Sequence, residues 1–246
     1  MQITLDDRWS IGGKPHGGYL LRETVAPVLT AAHPHPLAVS AHFLRSPDPG
    51  PATVEVETLR EGRRVSQHRT RLLQGGQPCV EALVTSGTLD PDAEPFWSDT
   101  REPELPPAED CLRTPAEPLP GFRVGHLDFV DVRTDPRTPP FSGTTATPGR
   151  VRARLQMAAG CTSPLDLLVL ADALQPVPMD LGVPGWFPTV ELTVLVRAVP
   201  AEGWLVGEQT ATLLQDGWFD EDCTIWDSRG RLVCQARQLA GYRLAR

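Results

Sequence analysis

The stretch SPLDLLVLADALQP, residues 163–176, constrains the fold more than any other part of the chain. Ser163 supplies a helix N-cap, Pro164 suits the first helical position, and Asp166 stands three residues after the cap, a capping-box spacing with Asp in place of Glu. Gln175-Pro176 marks the stop, because proline disfavours helix in the residue before it. Between these signals Leu165, Leu167, Leu168, Val169, Leu170, Ala171, Ala173 and Leu174 make the segment apolar on every face. A helix of that kind has to be enclosed rather than laid on a surface. One charge, Asp172, interrupts it. A carboxylate there loses water and sits near the negative end of the helix dipole, and both effects raise its pKa. Two readings stand: an acid reaching solvent at a fraying helix end, or a carboxylate kept for chemistry.

The rest of the composition removes several classes of function. A chain of 246 residues accommodates one large domain or two smaller ones. There is no run of apolar residues long enough for a membrane span, and the N-terminus MQITLDDRWSIGG has no basic segment followed by an apolar one, so neither a span nor a signal peptide is expected. A net charge of −8 argues against a general nucleic-acid binder and fits a cytoplasmic protein. Cys79, Cys111, Cys161, Cys223 and Cys234 are scattered, odd in number and form no CxxC, which reads as reduced thiols. No HExxH or Cys/His ligand spacing occurs, and GxSxG, Walker and GxGxxG motifs are absent, so no metal and no cofactor are expected.

Order along the chain gives the architecture. Gly17-Gly18 opens YLLRETVAPVLTAA, whose apolar residues recur at helical spacing, with Pro27 placed to bend or end the helix. Strand-like stretches follow at residues 37–45, 52–60, 63–74 and 78–86, separated by turn signals at Glu61-Gly62 and Gly75-Gly76. Residues 90–120 lose apolar periodicity and are rich in Asp, Glu and Pro, as in an extended linker or a connection hugging the surface. Strand signals return at 122–133 and, after the loop 135–148, at 150–158. The helix of residues 163–175 comes next, then strands over 189–199, 203–215, 218–227 and 231–243. One helix precedes a set of long antiparallel strands twice. The last hairpins superpose, Gly76 on Gly230, Ala82 on Ala236 and Gly87 on Gly241. The expectation is an α+β double hotdog: two repeats, each a long helix wrapped by a curved antiparallel β-sheet. Residues 1–98 form the first repeat, 99–120 a Pro-rich linker, and 121–246 the second repeat with the catalytic residues.

The segments HGGYLLRETV and SAHFLRSPDPGPATVEVETLREGRRVSQHRTRLLQGGQPCVEA resemble the first half of the TesB-type acyl-CoA thioesterases, and LADALQP and VCQARQLAGYR resemble that family's catalytic stretches. The resemblance implies hydrolysis of acyl-CoA thioesters to a free fatty acid and CoA by an Asp-activated water. It implies an acyl-CoA substrate and a homodimer or larger homo-oligomer. Such enzymes position the water with an Asp, a Thr and a Gln, which fall on Asp172, Thr189 and Gln238. Gly17 and Gly18, with His16 before them, are candidate substrate-binding residues, their backbone N–H groups facing an oxyanion at a helix N-terminus; close packing of the helix start is the alternative.

The residues test these roles unevenly. On the last strand Leu232, Cys234, Ala236 and Ala240 share a face with Gln238, so a buried amide has to find a partner there, either Asp172 or its water, or the backbone as in an ordinary core glutamine. On the strand before it the apolar face is Val190, Leu192, Val194 and Val196. Strict alternation then turns Thr189 away from the site unless it precedes the regular pairing or lies at a bulge. The first repeat carries Val84 where the second has Gln238, and no acid matching Asp172, Glu23 being the nearest, so one site per chain is expected. A non-catalytic double hotdog that binds acyl-CoA or another lipid is the rival reading. A hydratase on the same fold is excluded, because Val177 occupies the place its histidine needs and no histidine follows residue 126.

Overall fold

The computed structural model describes residues 1–118, 120–137, 148–160 and 162–242; Cys161 and residues 138–147 of the expected loop lie outside these. The first half runs β1 (Gln2–Leu5), β2 (Ser10–Ile11), β3 (Lys14–Pro15), α1 (Gly17–Val25), β4 (His35–Phe43), β5 (Gly50–Glu61), β6 (Val65–Gln74) and β7 (Gln77–Gly87). The second runs β8 (Leu112–Arg113), β9 (Val130–Thr134), β10 (Arg150–Met157), α2 (Leu167–Leu170), α3 (Val177–Asp180), β11 (Thr189–Val196), β12 (Leu205–Thr210), β13 (Leu214–Gln215), β14 (Trp218–Trp226) and β15 (Leu232–Gly241).

All but β2 and β3 join one antiparallel sheet in the order β1-β5-β6-β7-β4-β11-β15-β14-β12-β10-β9-β8, with β13 on β14. β4 pairs with β11 at the centre. Outward from that pair come β7, β6, β5 and β1 on one side and β15, β14, β12 and β10 on the other. Each half therefore places its strands in the same order outward from that pair. One apolar core fills the inside, from Leu21 and Val25 of α1 to Leu167, Leu168, Val169 and Leu170 of α2.

The helices are shorter than expected. The long helix read over residues 163–175 is a four-residue α-helix, α2, set in a chain of turns. Its start is as read: Asp166 N–H donates to Ser163 Oγ, and Asp166 Oδ2 accepts from the Ser163 N–H and hydroxyl. After that, i→i+3 bonds (Leu168 to Leu165, Asp172 to Val169, Ala173 to Leu170) alternate with i→i+4 bonds (Leu170 to Asp166, Ala171 to Leu167), so the coil is tighter than an α-helix at both ends. α1 ends at Val25 and passes through a 3-10 turn, Ala26–Val28, at Pro27. The strand expected over residues 122–133 begins at Val130; before it Gly125–Asp128 is a 3-10 turn. Gly125 lies so close to the N-terminal turn that a Cβ on it would be 2.3 Å from the Arg8 carbonyl oxygen. The segment thus packs on the N-terminal turn, with Val124 bridging Ile11 of β2.

Residues 90–118 hug the surface. Proline-rich chain offers carbonyls with few N–H groups, and arginines answer them: Arg154 donates to Leu105 and Pro106, Arg133 to Ala108, and Arg231 to Pro91.

α1 and α2 meet backbone to backbone at Gly18. A Cβ there would stand 2.8 Å from the Leu168 carbonyl oxygen and 2.9 Å from Val169 Cα. Gly18→Ala is therefore expected to cost about 1–3 kcal/mol through overpacking against backbone that has no rotamer to give, read as a lower midpoint in denaturant unfolding.

Candidate active site

His16 ties the two central helices together. Its Nδ1 accepts the Tyr19 N–H at 3.2 Å, capping the N-terminus of α1. A ring nitrogen that accepts carries no proton, so Nε2 is the donor, and it bonds the Asp172 carbonyl at 2.7 Å. The same nitrogen is 3.3 Å from Asp172 Oδ2. His126, stacked on His16 with ring centroids 4.3 Å apart, bonds the next carbonyl, that of Ala173, at 3.2 Å. Two imidazoles thus satisfy consecutive carbonyls of the turn that follows α2. Burial, with His16 beside it, pushes the His126 pKa well below its ordinary value, against the pull of the Ala173 carbonyl. His126 Nδ1 is buried with no hydrogen-bond partner among the described residues.

The Asp172 side chain turns toward α1. Its Oδ2 accepts the Gly18 N–H at 2.7 Å. A Cβ on Gly17 would stand 2.7 Å from that oxygen, so a larger residue there would displace the carboxylate. The Gly18 N–H is thus taken up by the protein's own Asp172, and the glycine pair packs closely against it and against the α2 backbone. Burial raises the Asp172 pKa, opposed by His16 and by the Gly18 N–H.

The other two expected residues are brought together. Thr189 Oγ1 donates to Gln238 Oε1 at 2.9 Å. Thr189 faces inward because the ladder slips: β11 advances from Thr189 to Glu191 while β15 advances from Ala240 to Leu239. That is the bulge the alternation argument required. Gln238 does not bond Asp172. Its Nε2 donates to Glu221, its cross-strand partner on β14.

Glu221 and Gln209 are absent from the sequence reading. Glu221 is buried, accepts the Val177 N–H at the start of α3, and is bonded by the Gln209 and Gln238 amides. Burial pushes its pKa up to about 7, the three donors pull it back, and the charge of Asp172 adds to the rise. A sequence signal existed. Phe219, Glu221, Cys223 and Ile225 alternate on one buried face of β14, so Glu221 is the charged member of an apolar set. Gln209 Nε2 also reaches the Gln175 carbonyl at 3.4 Å.

These groups line one cavity of about 510 Å³ between the helices and the sheet, within the range of small-molecule sites. His16, Gly17, Asp172, Thr189, Glu221 and Gln238 form its polar wall; Leu20, Leu127, Val132 and Val151 are among its apolar lining. Lys14 and Arg45 also border it. Cys223 and Cys234 lie near but are poor nucleophiles, since burial pushes the Cys223 thiol well up and that of Cys234 to about 12.

A solved protein of Alicyclobacillus acidocaldarius described as having a hot dog fold superposes with a TM-score of 0.84 over 100% of this chain and 93% of that one, at 20% identity. The sheet with its few short helices is a hot dog fold. A model of the acyl-CoA thioesterase N-terminal domain matches residues 5–87, and one of the C-terminal domain matches residues 103–242. The chain belongs to this acyl-CoA thioesterase family, of the TesB or thioesterase II type. A proposed thioesterase II from Thermobifida fusca is 36% identical and superposes with a TM-score of 0.87 over 100% of this chain and 92% of that one. An uncharacterised protein of Mycobacterium tuberculosis is 33% identical over 96% of this chain and 88% of its own length. Among the described residues no helix is long and apolar enough to cross a membrane.

Removing the imidazole should loosen both helices at once. His16→Ala is expected to cost about 2 kcal/mol or more, from the lost N-cap and the unsatisfied Asp172 carbonyl. His16→Asn, which can still cap, is expected to lose less in the same denaturant titration.

Proposed function

We propose that the protein hydrolyses acyl-CoA thioesters at a single site in its second half. Residues 1–98 and 121–246 act as two hotdog repeats joined by 99–120, and the first supplies α1 as a wall. Asp172 is the general base. Its Oδ2 is held by Gly18, and Oδ1 is the oxygen we assign to the water. Thr189 and Gln238 hold the same water from the β11–β15 side. The water oxygen attacks the thioester carbonyl carbon as its proton passes to Asp172; the C–S bond then breaks, and the leaving thiolate takes that proton, giving a free carboxylic acid and CoA. The acyl chain lies along Leu20, Leu127 and Val132, and the phosphates of CoA lie toward Lys14 and Arg45 at the cavity edge. We take the working form to be a cytoplasmic homodimer or larger homo-oligomer.

The observation that carries this reading is the convergence of Asp172 with the bonded pair Thr189–Gln238 on one largely apolar cavity in a chain of this family. Asp172→Asn keeps the size of the side chain and the Gly18 contact but removes the base. It is expected to lower kcat by about 10²–10⁴-fold with the fold retained, as loss of a general base does. The assay is release of free thiol from acyl-CoAs of graded chain length. Near-normal turnover by the variant would remove Asp172 from the mechanism, and thermal stabilisation by acyl-CoA without thiol release in the unaltered protein would favour a binding protein instead.

A further inference from the structure

We propose that Glu221 is a positioning residue of this site: its carboxylate fixes the direction of the Gln238 amide and, through it, that of the Thr189 hydroxyl. The inference rests on the hydrolytic reading above. It follows from the donor and acceptor inventory of three side chains in a row. An ionised carboxylate only accepts hydrogen bonds. Glu221 therefore requires the Nε2 end of Gln238, which is the end it meets. The Oε1 end must then face Thr189, and an amide oxygen only accepts, so the Thr189 hydroxyl gives its proton to it. What is left for the cavity is determined. Gln238 offers its second Nε2–H and Thr189 offers lone pairs. A water between them accepts from one and donates to the other, which directs an oxygen lone pair and a proton in fixed directions before Asp172 acts.

The surroundings of Glu221 favour the form this needs. The Val177 N–H and the Gln209 amide donate to it alongside Gln238, and three donors suit a carboxylate better than a carboxylic acid. Against them stand burial and the charge of Asp172 from the α2 segment; the Cys223 thiol, two residues along β14, stays uncharged because its own pKa is pushed well up. The result is a group balanced near pH 7. When Glu221 takes a proton, its O–H needs an acceptor, and the Gln238 amide turns over to supply Oε1. Thr189 then loses its acceptor and points its proton into the cavity, so the water meets the opposite polarity. Activity is accordingly present above the Glu221 transition and falls as pH drops through it. Asp172 titrates in the same direction, and the pair is read as two apparent values rather than two separate residues.

Glu221→Gln separates the two. With its oxygen held by Val177 and Gln209, the new side chain turns its NH₂ to Gln238 and locks the row in the reversed sense at every pH. The expected result is a kcat reduced tenfold or more, KM within about twofold, and loss of the limb near pH 7 from the kcat profile. The second measurement needs no turnover: the Gln238 side-chain amide signal in ¹H–¹⁵N spectra of the unaltered protein should shift with a midpoint near 7, and a Glu221→Gln spectrum should show no such titration. An unaltered kcat and pH profile in Glu221→Gln, or a Gln238 amide signal that is flat from pH 5 to 9, would overturn the inference. Either result combined with an inactive Asp172→Asn leaves the hydrolytic reading standing, whereas an active Asp172→Asn removes that reading whatever Glu221 does.

Discussion

The contact between His16 and the Asp172 backbone is what the rest of the structure depends on. A helix that is apolar on every side can be buried, but its last carbonyls cannot be left bare. Here the carbonyls of Asp172 and Ala173, in the turn that follows α2, are met by imidazoles from residues 156 and 47 positions away in sequence. Because His16 also caps α1, the end of one central helix and the start of the other are held by a single ring. The close approach at Gly17 and Gly18 follows from that, and so does the position of the Asp172 carboxylate against the Gly18 N–H.

The asymmetry between the halves follows from the sheet. Across the β14–β15 pair Glu221 opposes Gln238. At the matching places of β6 and β7, His68 opposes Val84. The first half thus keeps the strand order but not the polar row. Its histidine is satisfied locally, with Thr58 and Ser86 at hydrogen-bonding distance on either side of the ring. A carboxylate is costly to bury, and the second half carries two around one cavity, both raised by burial and Glu221 further by the charge of Asp172, which is the pattern expected of a site.

Much of this was legible in the sequence, and what was not has identifiable causes. The capping box at Ser163 and Asp166, the stop at Pro27 and the long strands were read from local signals, which local hydrogen bonds realise. Thr189 was readable only as a conditional, since alternation put it outside and a bulge was needed to bring it in; register slips leave little trace in one chain's pattern. Helix length failed because propensity and apolarity count turns, whereas i→i+3 bonding and capping by distant histidines set where the α-helix stops. His126 was hidden in a segment that reads as strand, because the approach of Gly125 to Arg8 is a tertiary contact. Glu221 was visible by the alternation that exposed Gln238.

The most direct test is a crystal structure with a non-hydrolysable acyl-CoA analogue in which a methylene is inserted between the carbonyl carbon and the sulfur. One analogue per chain is expected, with its carbonyl carbon between Asp172 and the Thr189–Gln238 pair and its alkyl chain along Leu20 and Val132. An analogue bound against Val84 and His68 of the first half, or with its carbonyl remote from Asp172, would contradict it.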